Sequence, residues 1–141
     1  MDAHLSLSDR FDIALLAAQD RWCARPIIWG EDDCLMSLAA VVREVKGIDL
    51  AASYRGRYGS PDEAIKLLGK GGVPLALSKA AKRLHWGRLP AARCQSGALG
   101  FLMTPIGPAG VMRFRDAWMG RVDDGVGMFP SDLIIKAWGY E

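Results

Sequence analysis

Cys34 closes the stretch Trp29-Gly30-Glu31-Asp32-Asp33-Cys34 and opens a long apolar run. A thiol attacks carbonyls as the thiolate, and an ordinary cysteine is mostly protonated at neutral pH. In the first turn of a helix it would meet the positive end of the macrodipole and unpaired N–H groups, which favour the anion. The same N–H groups can hold an oxyanion later in the reaction. Cys34 is therefore a candidate nucleophile, to be weighed against a small packed hydrophobe in an apolar helix. Glu31, Asp32 and Asp33 oppose activation, because neighbouring carboxylates raise a thiol pKa.

Nucleophilic catalysis also needs a base, and the chain has two histidines. His4 lies in the tail before the first helix. His85 comes 51 residues after Cys34 (85 − 34). Its place at the end of a helix makes it a weak candidate base and a good helix-end cation. Trp29 and Asp33, which frame the thiol, join Arg55 and Arg57 as candidate binding residues, although Trp29, like Trp22, also reads as core. The two arginines flank Gly56 and read either as an anion or interface anchor or as a structural pair held to Asp49 and Asp62. Lys79, Lys82 and Arg83 share a helix face that reads as solvated or as a contact to a negatively charged partner surface. Gly69-Lys70-Gly71-Gly72 is a turn rather than a phosphate loop, having no Ser or Thr after the lysine.

The elements that must position these residues are legible from caps and periods. A first helix starts at Ser6 or Ser8, with Ser6 and Asp9 in capping-box spacing, Phe11, Leu15, Ala18 and Trp22 at the helical period and Pro26 as a stop. Asp33 is a good N-cap and Gly47 a good terminator for a second helix that is apolar nearly all round and hence buried. Ser60-Pro61-Asp62-Glu63 opens a third helix closed by Gly69. A fourth runs from Pro74 to Leu84 with Leu75, Leu77, Ala81 and Leu84 inward. From Gly97 onward, short β-prone runs at Leu99–Met103, Gly110–Phe114, Ala117–Val122, Val126–Phe129 and Leu133–Trp138 predict an antiparallel meander. Trp86 and Trp118 sit beside turn residues, where they suit either packing or an interface and sugar-stacking surface. Helices first and strands second give an α+β class, a helical N-terminal half packed on a C-terminal antiparallel sheet.

Composition narrows the partners. The 141 residues suit one domain, 1–141, and half of them are apolar. A net charge of +2 argues against an obligatory nucleic-acid partner. No window is long and apolar enough for a membrane span, and the opening Met1-Asp2-Ala3-His4 has no secretory n-region. Three cysteines without CxxC spacing predict free thiols, no disulfide framework and no metal site. No cofactor motif is present.

Trp29-Gly30-x-x-Asp33-Cys34 before a buried helix resembles the nucleophile segment of NlpC-type, papain-like cysteine peptidases. Gly47-Ile48-Asp49-Leu50, then Tyr54-Arg55-Gly56-Arg57-Tyr58, then Leu67-Leu68-Gly69, resembles a phage and prophage tail-module family of unknown function related to those enzymes. The resemblance spans about Phe11 to Trp138 and implies a papain-like fold with Cys34 at the nucleophile position. In the peptidases a Gly-Asp pair opens the first strand and the catalytic histidine opens the second. Here those places hold Gly97-Ala98 and Ala109-Gly110, so Asp and His are both absent. The resemblance implies a degenerate NlpC-type protein with a structural or assembly role at a tail tip or baseplate. Its partners would be other tail proteins, and it would be made in the bacterial cytoplasm and carried in the virion. The alternatives are an active peptidoglycan hydrolase using Cys34, and a module that binds peptide or glycan without cleaving it.

Overall fold

Ser6 caps the first helix as its spacing with Asp9 predicts: Asp9 N–H donates to Ser6 Oγ (3.0 Å), and Ser6 N–H to Asp9 Oδ2 (3.3 Å). In the computed structural model this helix, α1, covers Leu7–Cys23. The structure describes residues 4–122 and 125–141. Met1-Asp2-Ala3, which open the tail read above as free of a secretory signal, lie outside the described residues.

Helix α2 spans Cys34–Lys46 between the Asp33 N-cap and a left-handed Gly47. Helix α3 spans Pro61–Leu68, with Glu63 N–H donating to the Ser60 hydroxyl. Helix α4 spans Gly72–Arg83. Its Leu77, Ala81 and Leu84 are buried as expected, but Leu75 is 42 % exposed: its helix lies along the sheet with Leu77 and Ala81 inward, which turns Leu75 outward.

Among the described residues six strands follow, β1 (Gly87–Arg88), β2 (Leu99–Thr104), β3 (Gly107–Phe114), β4 (Ala117–Val122), β5 (Gly125–Phe129) and β6 (Lys136–Gly139), all paired antiparallel in the order β1-β6-β2-β3-β4-β5. The chain is α+β. Only β2 to β5 form the expected meander. The last strand is shorter than predicted, because residues 131–133 make a 3-10 turn, and it returns to lie between β1 and β2.

One face of the sheet carries the helices. Phe11, Leu15 and Trp22 of α1, Leu38, Val41, Val42 and Val45 of α2, and Leu77 and Ala81 of α4 pack on Leu99, Phe101, Met112, Met119 and Trp138. Alternation along the strands sends Leu102, Val111, Trp118 and Ala137 to the other face, where they meet Cys94 and Ala98. Trp118 and Trp86 are both core residues, not an exposed stacking surface. Trp118 can be wholly buried because its indole N–H donates to Ser131 Oγ (3.1 Å). Trp86 packs against Phe11 and Tyr140.

Two arginines join distant segments. Arg113 donates through Nη1 to Ser131 Oγ (2.7 Å) and Ala91 O (3.1 Å), pinning the second face. Arg121 on β4 is buried on the helix side and donates from Nη1 to Trp22 O (2.9 Å) and from Nη2 to Arg25 O (2.8 Å). Those carbonyls lie at and just beyond the C-terminus of α1, where helical donors run out and Trp22 O otherwise has only the long bond from the Arg25 amide (3.4 Å).

Candidate functional site

Asp33 organises the site. Its Oδ1 accepts from the amides of Leu35 and Met36 (both 3.0 Å), and its Oδ2 from the Gly30 amide (2.9 Å) and the Tyr58 hydroxyl (2.5 Å). A buried carboxylate survives only with its lone pairs satisfied, and four donors meet that need. Asp33 is thus a positioning residue rather than a binding group open to ligand. The Tyr58 phenol is pushed well above its ordinary range by burial and by the Asp33 carboxylate, and stays a protonated donor.

The two motifs singled out in the sequence meet here. Gly30 has φ +85°, and a Cβ on it would lie 2.1 Å from Tyr58 O. The Gly56 amide donates to Gly30 O (3.0 Å). The Trp-Gly-x-x-Asp-Cys turn and the Arg-Gly-Arg-Tyr loop are therefore one structural unit, closed by Asp33 and Tyr58. Arg55 holds this loop through a two-pronged pair with Asp49 (2.8 and 3.1 Å), which keeps the Asp49 carboxyl below its usual range at about 2. Arg57 donates to Ser53 O (3.0 Å) rather than to Asp62. Both arginines take the structural role. On the helix face, Lys79 and Lys82 are exposed, and Arg83 donates to Asp49 O (3.2 Å).

Cys34 is the first residue of α2 and faces β3. Burial pushes its thiol from 9.0 up to about 11; the Gly110 amide beside it favours the thiolate, and Asp33 opposes it. Burial outweighs the helix terminus. Two of the first-turn amides expected to stabilise an oxyanion, those of Leu35 and Met36, are already engaged by Asp33. That engagement is already implicit in Asp33 as an N-cap.

Gly110 shares the helix-side face of β3 with Met112 and brings no side chain to the sulfur, while Ala109 belongs to the alternate set. A Cβ at Gly110 would lie 3.0 Å from Leu35 Cδ2 and 3.3 Å from Leu38 Cδ1, so α2 seals this point. A cleft of about 840 Å³ opens beside Cys34, lined by Trp29, Tyr58, Ile65, Met103, Ile106 and Arg121 among others, and no histidine lines it. His85 is exposed just beyond the α4 cap with φ +60°, and His4 is exposed ahead of α1. The structure brings neither imidazole into the cleft. Trp29, expected in the core, is half-buried on the cleft wall, because the Gly30 turn carries it to the edge of the Met36, Ala39 and Tyr58 cluster.

All three cysteines are free thiols. Among the described residues no group of three or more His, Cys, Asp or Glu converges as a metal site, and no helix is long and apolar enough to cross a membrane.

The raised thiol has a measurable consequence. A thiol that ionises at 9.0 when unfolded and about 11 when folded leaves stability intact below pH 9 and removes it as pH rises from 9 to 11. Between roughly pH 8 and about pH 10.5, wild type is expected to lose about 2 kcal/mol more than Cys34→Ala in urea denaturation. Parallel losses would show that the thiol ionises normally.

No curated protein and no solved structure matches the chain. A family model described as a domain of unknown function, DUF6950, matches residues 8–140, which takes in both motifs and all the described helices but the first residue of α1. The chain belongs to that family.

Proposed function

We propose that this chain has a papain-like, NlpC-type fold that keeps the nucleophile's position without the chemistry, and that it serves as a structural or assembly component of a bacteriophage or prophage tail, at the tip or baseplate. The observation that carries the non-catalytic half is the cleft beside Cys34. Its thiol is held protonated, its neighbour on β3 is Gly110, and its walls hold no imidazole. General-base catalysis needs an acceptor within hydrogen-bond reach of the proton it takes. The tail half rests on the resemblance of the Trp-Gly-x-x-Asp-Cys and Arg-Gly-Arg-Tyr motifs, whose joint packing gives a reason for them to occur together. Fold alone does not assign a role.

Two measurements test this reading. In peptidoglycan zymograms, wild type and Cys34→Ala are both expected to leave the substrate intact. Clearing by wild type that Cys34→Ala abolishes would make the chain a hydrolase instead. Purified tails are expected to contain the chain after a high-salt wash, and its absence from them would remove the tail role.

A further inference from the structure

We infer that the cleft beside Cys34 is a dock for an extended, uncharged, largely apolar segment of another protein, laid against the open end of β2. The inference rests on the structural, non-catalytic reading above and names the kind of partner that reading requires.

The cleft is rimmed by large apolar side chains that the fold does not cover. Ile65 is 63 % exposed, Met103 58 %, Ile106 84 %, Leu133 53 % and Ile135 51 %, and all five line the same cleft. Concentrations of exposed apolar surface of this kind mark interaction sites. These residues come from α3, the β2–β3 hairpin and the segment before β6, so no single element's amphipathicity accounts for them.

Charge and hydrogen bonding in the cleft decide what fits. Among its ionisable side chains, Asp33 already accepts four donors and Tyr58 donates to it. Arg121 gives both terminal nitrogens to backbone carbonyls and has Asp32 Oδ1 3.8 Å from Nε. Thr104 Oγ1 donates to Gly107 O (2.7 Å) and accepts from the Ile106 amide. A charged occupant, such as a peptide rich in carboxylates, would lose its hydration without gaining a partner. A sugar would find the same shortage of free polar groups. One buried donor does remain: Arg121 Nε makes no hydrogen bond among the described residues. It is fully buried beside Asp32 and two strands from the open β2 edge, so it offers nothing to an occupant of the cleft.

The strand pattern points to polypeptide. β2 pairs with β3 as far as Thr104, but with β6 only as far as Phe101, where Ile135 N–H donates to Phe101 O (3.0 Å). Alternation aims the Met103 N–H and C=O to the same side as those of Phe101, where β6 has turned away into the 131–133 turn. An added strand would bond to those groups and set alternate side chains into the apolar rim.

Fluorescence anisotropy with labelled decapeptides tests the dock on the full chain. An alternating valine–threonine decapeptide is expected to bind saturably, and an alternating glutamate–threonine decapeptide is not. Met103→Pro, which deletes the N–H, and Ile106→Asp are each expected to weaken binding by about tenfold. Ile106 is so exposed that its variant tests the rim without endangering the core. Circular dichroism confirms that each variant is folded. No saturable binding by folded wild type, equal binding of the acidic peptide, or tighter binding of a labelled muramyl pentapeptide would overturn the dock. A chain present in purified tails that ignores the valine–threonine peptide would sink the dock alone. A chain that binds the peptide but is missing from tails would keep the dock and remove only the tail role.

Discussion

Gly30→Ala is expected to destabilise the fold by about 3–5 kcal/mol, which is a large part of the stability of a domain this size. Part of the loss is backbone strain, since φ +85° suits glycine and costs an L-residue about 1–2 kcal/mol. The larger part is collision. The new methyl would lie 2.1 Å from Tyr58 O, a backbone atom that cannot rotate aside. Relief requires the 54–58 loop to lift, which breaks the Gly56 to Gly30 bond and draws the Tyr58 hydroxyl from Asp33. A buried carboxylate that loses a donor is penalised by about 1–3 kcal/mol. Urea denaturation measures the total, and limited trypsin digestion reports the mechanism. Cleavage at Arg55 or Arg57 should accelerate in the variant well below its unfolding midpoint. A loss under about 1 kcal/mol, with unchanged digestion, would mean that the loop is not seated on Gly30.

Arg121→Ala is expected to cost about 3–4 kcal/mol by a different route, with the Arg25 carbonyl stranded, the Trp22 carbonyl left to the weaker Arg25 amide bond (3.4 Å), and a cavity left behind. The Trp22 and Arg25 carbonyls lose the donors that tie the end of α1 to β4. The ion pair is the lesser contribution. Asp32 Oδ1 is 3.8 Å from Nε, beyond hydrogen-bond length, and Asp32 retains contact with water. Asp32→Asn should therefore cost less than about 1 kcal/mol. Arg121→Met, which refills most of the volume without restoring donors, should recover part of the alanine loss and no more. Thermal melts of the four proteins separate these contributions. Equal losses for Asp32→Asn and Arg121→Ala would make the ion pair the dominant link.

What the sequence discloses and what it hides divide along the distance between partners. The Ser6 and Asp9 box, the Asp33 cap and the Ser60-Pro61-Asp62-Glu63 start act over three or four residues, and all are found in place. The α2 core face is likewise legible, because periodicity is local. Arg121 is not legible in the sequence, because its two acceptors lie 99 and 96 residues earlier in the chain and nothing inside β4 announces them. Trp118 beside a turn suits packing or an exposed ring alike, and its burial rests on a bond to Ser131, on another segment. The site shows the same division. Cys34 at the head of α2 was readable from its cap, as was the lack of an imidazole. That Asp33 would occupy the amides of the first turn follows from cap geometry already in view, but that burial would outweigh the macrodipole at the thiol depends on β3.

The position of β6 bears on how the chain is made. Although synthesised after every other strand, it lies between β1 and β2 and contributes Trp138 to the main core. On the ribosome, β2 to β5 can zip into hairpins as they emerge, but Leu99 and Phe101 keep one flank unpaired until residue 139 has cleared the exit. Such late closure between distant segments is slow and leaves a bare strand edge meanwhile. Biogenesis of this protein should therefore depend on chaperones that shield nascent β-structure.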